Sequence, residues 1–403
     1  VSGSDTMNTL STINTPKRHT SGTRNPAVVL ALACIALTVY MWLFLHAESQ
    51  LSVAILLAVA IVAVIAGRKL GANRALEEAG VSRPGLARLW AVGGTLALIA
   101  AFYDAHFALL MICSVLLYTT ACLGLTLQFG FSGVANFAGA AFFGIGSYAT
   151  AVMAMHTGIP HLLIIVISGV IAALVGSMLI TPVLRTRGHY AALVTIAFGI
   201  LFKTFIEVND VLGGPQGLQV PGMTVFGYAL NDGFTVAGVD VSFYVSYALI
   251  SLGICAGVFA TVKALERSWV GLSMDVVRTD ETAAATFGLH IARWKVVAFM
   301  LGNFFAGIAG SMYGMITGFV APNNFTFSDS LLMLSIVILG GLGNAIGLIP
   351  AAIIVLVLPE KLQFIQEYRF LFYAALVIAI LLFRPDGLLP RKTRLFFGRE
   401  TSR

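Results

Sequence analysis

The chain has 403 residues, of which 58% are hydrophobic and only 10% charged, with a formal net charge of +6. Soluble domains carry about 25% charged residues, so a chain of this length and composition cannot cover a water-facing surface. A soluble enzyme, a secreted disulfide protein and a disordered chain are excluded. What remains is an all-α polytopic transmembrane bundle of about 10–12 spanning or partly spanning helices.

Residues 1–26 form a polar tail with Lys17, Arg18 and Arg24, in which residues 1–6, ahead of Met7, read as an expression remnant. A spanning helix needs about 20 mostly apolar residues. Stretches 27–46, 51–66 and 89–105 supply extra N-terminal helices over 27–105, and 27–46 lacks the small-residue cleavage site of a signal peptide. A core over 106–390 follows, with apolar stretches at 107–128, 131–155, 162–183, 189–208, 242–264, 296–319, 331–358 and 368–383. Residues 391–403 are a basic tail. Gly340, Gly341, Gly343 and Gly347 interrupt 331–358, which is either one tilted helix or two short ones. Splitting it gives twelve crossings with both termini cytoplasmic, and leaves only Lys203, Lys361 and Arg369 of the 24 basic residues on the other side. That asymmetry is what the positive-inside rule demands.

Soluble-enzyme motifs are missing: there is no GxxxxGK[ST], HExxH, GxSxG or EF-hand pattern. Cys34, Cys113, Cys122 and Cys255 lie in apolar runs without CxxC spacing and read as packing residues. No metal site, catalytic residue or resident cofactor is expected, and no nucleic-acid partner; the surroundings are a lipid bilayer. Lys203 and Glu207 are spaced i,i+4 near the end of 189–208, as a mutually neutralised pair. Gly307, Gly310 and Gly314 fall close to one helical face, as in tight helix packing.

Three stretches carry functional readings. Residues 128–139 are polar and glycine-rich where the chain is buried, and irregular backbone at that depth is tolerated only inside protein or beside a wet cavity. Ser132, Asn136, Phe137 and Gly139 are its candidate path-lining residues. The loop 209–241 holds Asp210, Asp232 and Asp240 with no Lys or Arg. It is either a turn-rich connector or a cap and docking surface, with Gly213, Gly214, Gln216 and Gly217 as its candidates. In the cytoplasmic segment 266–293, Asp280 and Glu281 precede an alanine run closed by Gly288. That reads as a short helix with a favourable start and stop, either interfacial or fitted to a groove on another protein.

Arg278 to Gly288, followed by Ala292-Arg293-Trp294-Lys295-Val296-Val297-Ala298-Phe299, resembles the coupling-helix loop of ABC importer permeases of the LivM type, which serve branched-chain amino acids and have amide and urea relatives. Asn136-Phe137 with Ala141 to Tyr148, Arg187 to Thr195, Gly213 to Leu218, Gly340-Gly341-Leu342-Gly343 with Gly347, and Arg384 to Leu388 are similar to further family motifs in the expected order, over about 107–390. Two departures stand out: Ala138 where many members have Gly, with Gly139 in place of their His, and Leu348 in place of their Pro. The resemblance implies a bacterial inner-membrane permease with alternating access, importing branched-chain amino acids. Urea, short amides or other amino acids are alternative substrates, and an ion-gradient-driven carrier is the rival from another class. It further implies a second, LivH-like permease, two ATPase subunits that hold ATP and Mg, and an extracytoplasmic solute-binding protein. ATPase contact would fall on Arg278, Glu281, Ala284 and Gly288.

Overall fold

The computed structural model describes residues 26–47, 49–69, 84–186, 189–225, 227–231, 234–236, 239–362, 368–383, 387–389 and 391. The N-terminal tail, Arg187-Gly188, Arg384-Pro385-Asp386 and the tail beyond Arg391 lie outside them. In chain order the helices are α1 (Pro26–His46), α2 (Gln50–Lys69), α3 (Pro84–Ala101), α4 (His106–Thr126), α5 (Gly139–His156), α6 (His161–Arg185) and α7 (His189–Val208). Then come α8 (Tyr244–Arg267), α9 (Trp269–Thr279), α10 (Glu281–Thr286), α11 (Ile291–Thr317), α12 (Phe327–Gly340), α13 (Leu348–Lys361) and α14 (Arg369–Phe383). Among the described residues, 6 helices are long and apolar enough to cross a membrane, and shorter apolar helices accompany them.

The 27 residues of α11 make it the central post, packed mainly against α6, α5 and α4. Lipid tails are as apolar as leucine, so close van der Waals approach and interhelical polar contacts must hold such a post. Glycine supplies the approach. A Cβ on Gly310 would run into the Phe143 carbonyl of α5, and one on Gly307 would sit 2.6 Å from the Ala172 Cβ of α6. Hydroxyls supply the polar contacts: Ser147 donates to the Gly310 carbonyl at 2.6 Å, and Thr150 Oγ1 meets Ser168 Oγ at 2.8 Å and Ser311 Oγ at 2.5 Å. All four hydroxyl residues are fully buried.

The glycine interruption separates α12 from α13, which pack on one another; Gly341 and Gly343 have positive φ in the connecting turn. Lys203 and Glu207 lie 3.3 Å apart on α7, and Cys113, Cys122 and Cys255 are buried free thiols. The expected stretch 131–155 begins too early, because residues 132–138 are not helical and α5 starts only at Gly139. The N-terminal helices join the core by apolar packing of Phe44, Val53, Ile99 and Phe102 and of α3 on α8, and by a polar tie in which Lys361 Nζ donates to the Leu45 carbonyl at 2.6 Å and to that of Ala47 at 3.1 Å.

Contacts define two ends. The basic end gathers Arg278, Lys295 and Arg391 with Gly130 and the 341–347 turn. At the opposite, loop end the chain between α7 and α8 forms two small hairpins, while Leu218–Gln219 pairs with Phe319–Val320 beyond α11.

Candidate functional site

At its last turn α4 widens into a π-helix, Leu127–Phe131, and then leaves helical geometry until Gly139. Two glycines, Gly130 and Gly133, weaken the helix here, and Gly133 takes φ +69. Backbone groups freed inside a membrane bundle need partners, and side chains of other helices provide them. The Phe137 N–H donates to Thr195 Oγ1 on α7 at 3.1 Å, and the Ala140 N–H donates to Ser330 Oγ on α12 at 3.1 Å. The Gln128 carbonyl accepts from the Val134 N–H at 2.9 Å and from Ser132 Oγ at 2.8 Å.

Three amide side chains meet at this break. Asn136 Nδ2 donates to Gln128 Oε1 at 2.7 Å and to Asn303 Oδ1 at 3.2 Å. Gln128 Nε2 donates to Asn303 Oδ1 at 2.9 Å and to the Phe299 carbonyl at 3.0 Å. Asn136 Oδ1 accepts from the Ala138 N–H at 2.9 Å. Each of the three is at most 1% exposed. Asn303 Nδ2 has no protein partner, and it faces Gly176 of α6. A buried donor left so costs about 1–3 kcal/mol. The node therefore joins the end of α4, α11 and the irregular stretch by hydrogen bonds and leaves one buried donor unpaired.

Ser132 and Asn136 belong to this node. Phe137 stacks edge-on against Phe129 at 5.9 Å, and Gly139 opens α5 beneath Leu125 and Met333. Asn303 and Thr195 were not singled out from sequence. The available signal was a lone amide, Asn303, inside an otherwise apolar helix, where a polar group demands a partner.

At the basic end Ser268 caps α9, and Asp280 caps α10 by accepting from the Thr282 and Ala283 N–H groups at 2.8 and 3.0 Å. Gly288, at φ +76, closes α10: the Leu289 N–H donates to the Ala284 carbonyl and the Gly288 N–H to that of Ala285, the bond pair of a Schellman stop. Ala284 is fully buried, and Glu281 Oε1 pairs with Lys295 Nζ at 2.6 Å. Arg278 Nη1 donates to the Gly130 carbonyl at 2.5 Å. Phe287 stands 81% exposed at the tip. The α9 helix itself was not foreseen, because its apolar residues lie on one face within a segment read for its alanine run.

In the loop-end motif, Gly213, Gly214 and Gly217 all have positive φ, at 81, 51 and 75°. A Cβ on Gly217 would run into the Val320 carbonyl, so this glycine permits the pairing with Phe319–Val320. Gln216 is exposed. Among the described residues no group of three His, Cys, Asp or Glu is placed to hold a metal.

The family described as branched-chain amino acid transport system / permease component matches residues 107–381. The chain belongs to this family. The high-affinity branched-chain amino acid transport system permease protein LivM of Salmonella typhimurium is 32% identical over 289 residues, 68% of each chain. The LivM protein of Escherichia coli is 33% identical over the same length. The LivH permease protein of Escherichia coli is 25% identical over 296 residues, covering 68% of this chain and 91% of its own. No solved structure matches. This member of the permease family is thus a multi-pass membrane protein whose family core starts at α4, with the helices before it lying outside the match.

Proposed function

We propose that this chain is the membrane permease subunit of an ABC importer that moves branched-chain amino acids inward by alternating access. The match over 107–381 to permease components, with LivM relatives above 30% identity, supports the reading. In it, ATP is hydrolysed on two partner ATPase subunits, a LivH-like permease completes the path and an extracytoplasmic binding protein delivers the solute. The basic end faces the cytoplasm of a bacterial inner membrane, with both termini on that side. There α10, capped at both ends and led by Phe287, is the element offered to an ATPase, with Arg278, Glu281, Ala284 and Gly288 setting its attachment. The amide node is the part of the path that must rearrange, since alternating access needs two arrangements of the bundle that the partners bias differently.

Reconstitution with the four partner chains tests this. Leucine uptake into vesicles should require ATP and the loaded binding protein and ignore proton or sodium gradients. Competition by a panel of amino acids, urea and short amides assigns the substrate. Flux through the lone chain that follows an ion gradient overturns the reading.

A further inference from the structure

The Gly130 carbonyl is a meeting point of distant segments. It accepts from Arg278 Nη1 of α9 at 2.5 Å and from Arg391 Nη1 at 3.3 Å. Arg391 forks onto Asp275 of α9, with Nη1–Oδ1 at 2.6 Å and Nη2–Oδ2 at 2.7 Å. The same guanidinium lies 4.0 Å above the ring of Phe131, the last residue of the π-helix. Its stem passes Gly343, where a Cβ would come within 2.7 Å of Arg391 Cδ. The segment bearing Arg391 is itself seated: the Leu388 N–H donates to the Leu339 carbonyl at 2.8 Å, and Asn344 Nδ2 donates to that of Leu389 at 2.9 Å.

This geometry resists rotation as well as separation. Two parallel bonds between a planar guanidinium and a carboxylate fix angle and distance together, and the ring beneath opposes sliding. The Arg391 side chain is 13% exposed and that of Asp275 36%, so the guanidinium is sheltered while water and salt reach the carboxylate. Gly130 follows Gln128 by two residues, and Gln128 is the hub of the amide node. We propose that Asp275 and Arg391 form a clamp that makes α9 and the Gln128–Gly139 stretch move as one body, so that displacement of the 266–293 segment reaches the amide node. The proposal rests on the reading of that segment as the ATPase-docking element. Both residues are positioning residues: they act through Gly130 and Phe131.

The assembled complex in proteoliposomes, with leucine-loaded binding protein, gives the first measurement: ATP hydrolysed per leucine carried. Asp275→Asn and Arg391→Gln should leave hydrolysis running and raise this ratio above that of the wild-type complex. Arg391→Lys keeps the charge without the fork and should raise it too. The double variant should be no worse than either single one, because both break the same link. An unchanged ratio in all of these overturns the clamp.

The second measurement needs no transport. In the full-length chain in detergent, amide hydrogen exchange is followed at Phe137 and Ala138, which neither clamp residue touches. Arg391→Gln should speed exchange there, and unchanged protection overturns the proposal even if a variant complex fails to assemble. A wild-type complex that carries no leucine sinks the transport reading alone, and the exchange measurement then still decides the clamp.

Discussion

Asn136 serves three partners at once, donating to Gln128 Oε1 and Asn303 Oδ1 and accepting from the Ala138 N–H. Asn136→Ala strands the Gln128 Oε1 and the Ala138 N–H, and each buried polar group left unpaired costs about 1–3 kcal/mol. We expect the variant to melt measurably lower than wild type in detergent, whereas Gln216→Ala, at an exposed site, should stay within about 0.5 kcal/mol of it by the same measurement. At this scale the sequence was half legible. Ser132 and Asn136 stood out as polar residues among glycines, but their partner Asn303 lies 167 residues away from Asn136. No local pattern connects the two, because only helix packing brings α11 beside the break. The bond from Arg278 to the Gly130 carbonyl was not legible either, since the two residues are 148 apart in sequence.

Helices were the most legible level. The stretch 189–208 coincides with α7, and the division of 331–358 follows the glycines, since glycines with positive φ stop a helix where the apolar run alone would continue it. The break after α4 was legible as irregular but not in extent, because a π-turn keeps helical composition while changing the hydrogen-bond step. The packing role of Gly310 separates it from other helical glycines. Gly310→Val must push α11 off the Phe143 carbonyl, and overpacking of this kind costs typically about 1–3 kcal/mol. Gly253 of α8 has open space around its Cβ position, so Gly253→Ala should be neutral or stabilising by up to about 1 kcal/mol. Thermal unfolding of the two variants side by side checks the contrast; equal shifts would remove α11 from its central place.

For the molecule as a whole, orientation follows from which end holds the positive charge. In a Cys34→Ser background, Val211→Cys at the loop end should react with a membrane-impermeant thiol reagent on intact cells, and Phe287→Cys at the basic end only in inverted vesicles. Both sites are more than four-fifths exposed, at 86% and 81%, so in cells expressing this chain without its partner subunits access depends on the side of the membrane. Labelling of Phe287→Cys from outside would invert the assignment.

The attachment of α1 and α2 has a consequence for what the chain can lose. Stripping those helices would mostly expose apolar side chains to hydrocarbon, a solvent they tolerate at little cost. Lys361 differs: its ammonium would forfeit the carbonyls of Leu45 and Ala47, and its own carbonyl would forfeit the Gln50 amide. A shortened protein beginning at α3 should therefore melt lower than the whole chain in detergent, a polar loss that hydrocarbon cannot repair as it repairs the apolar one.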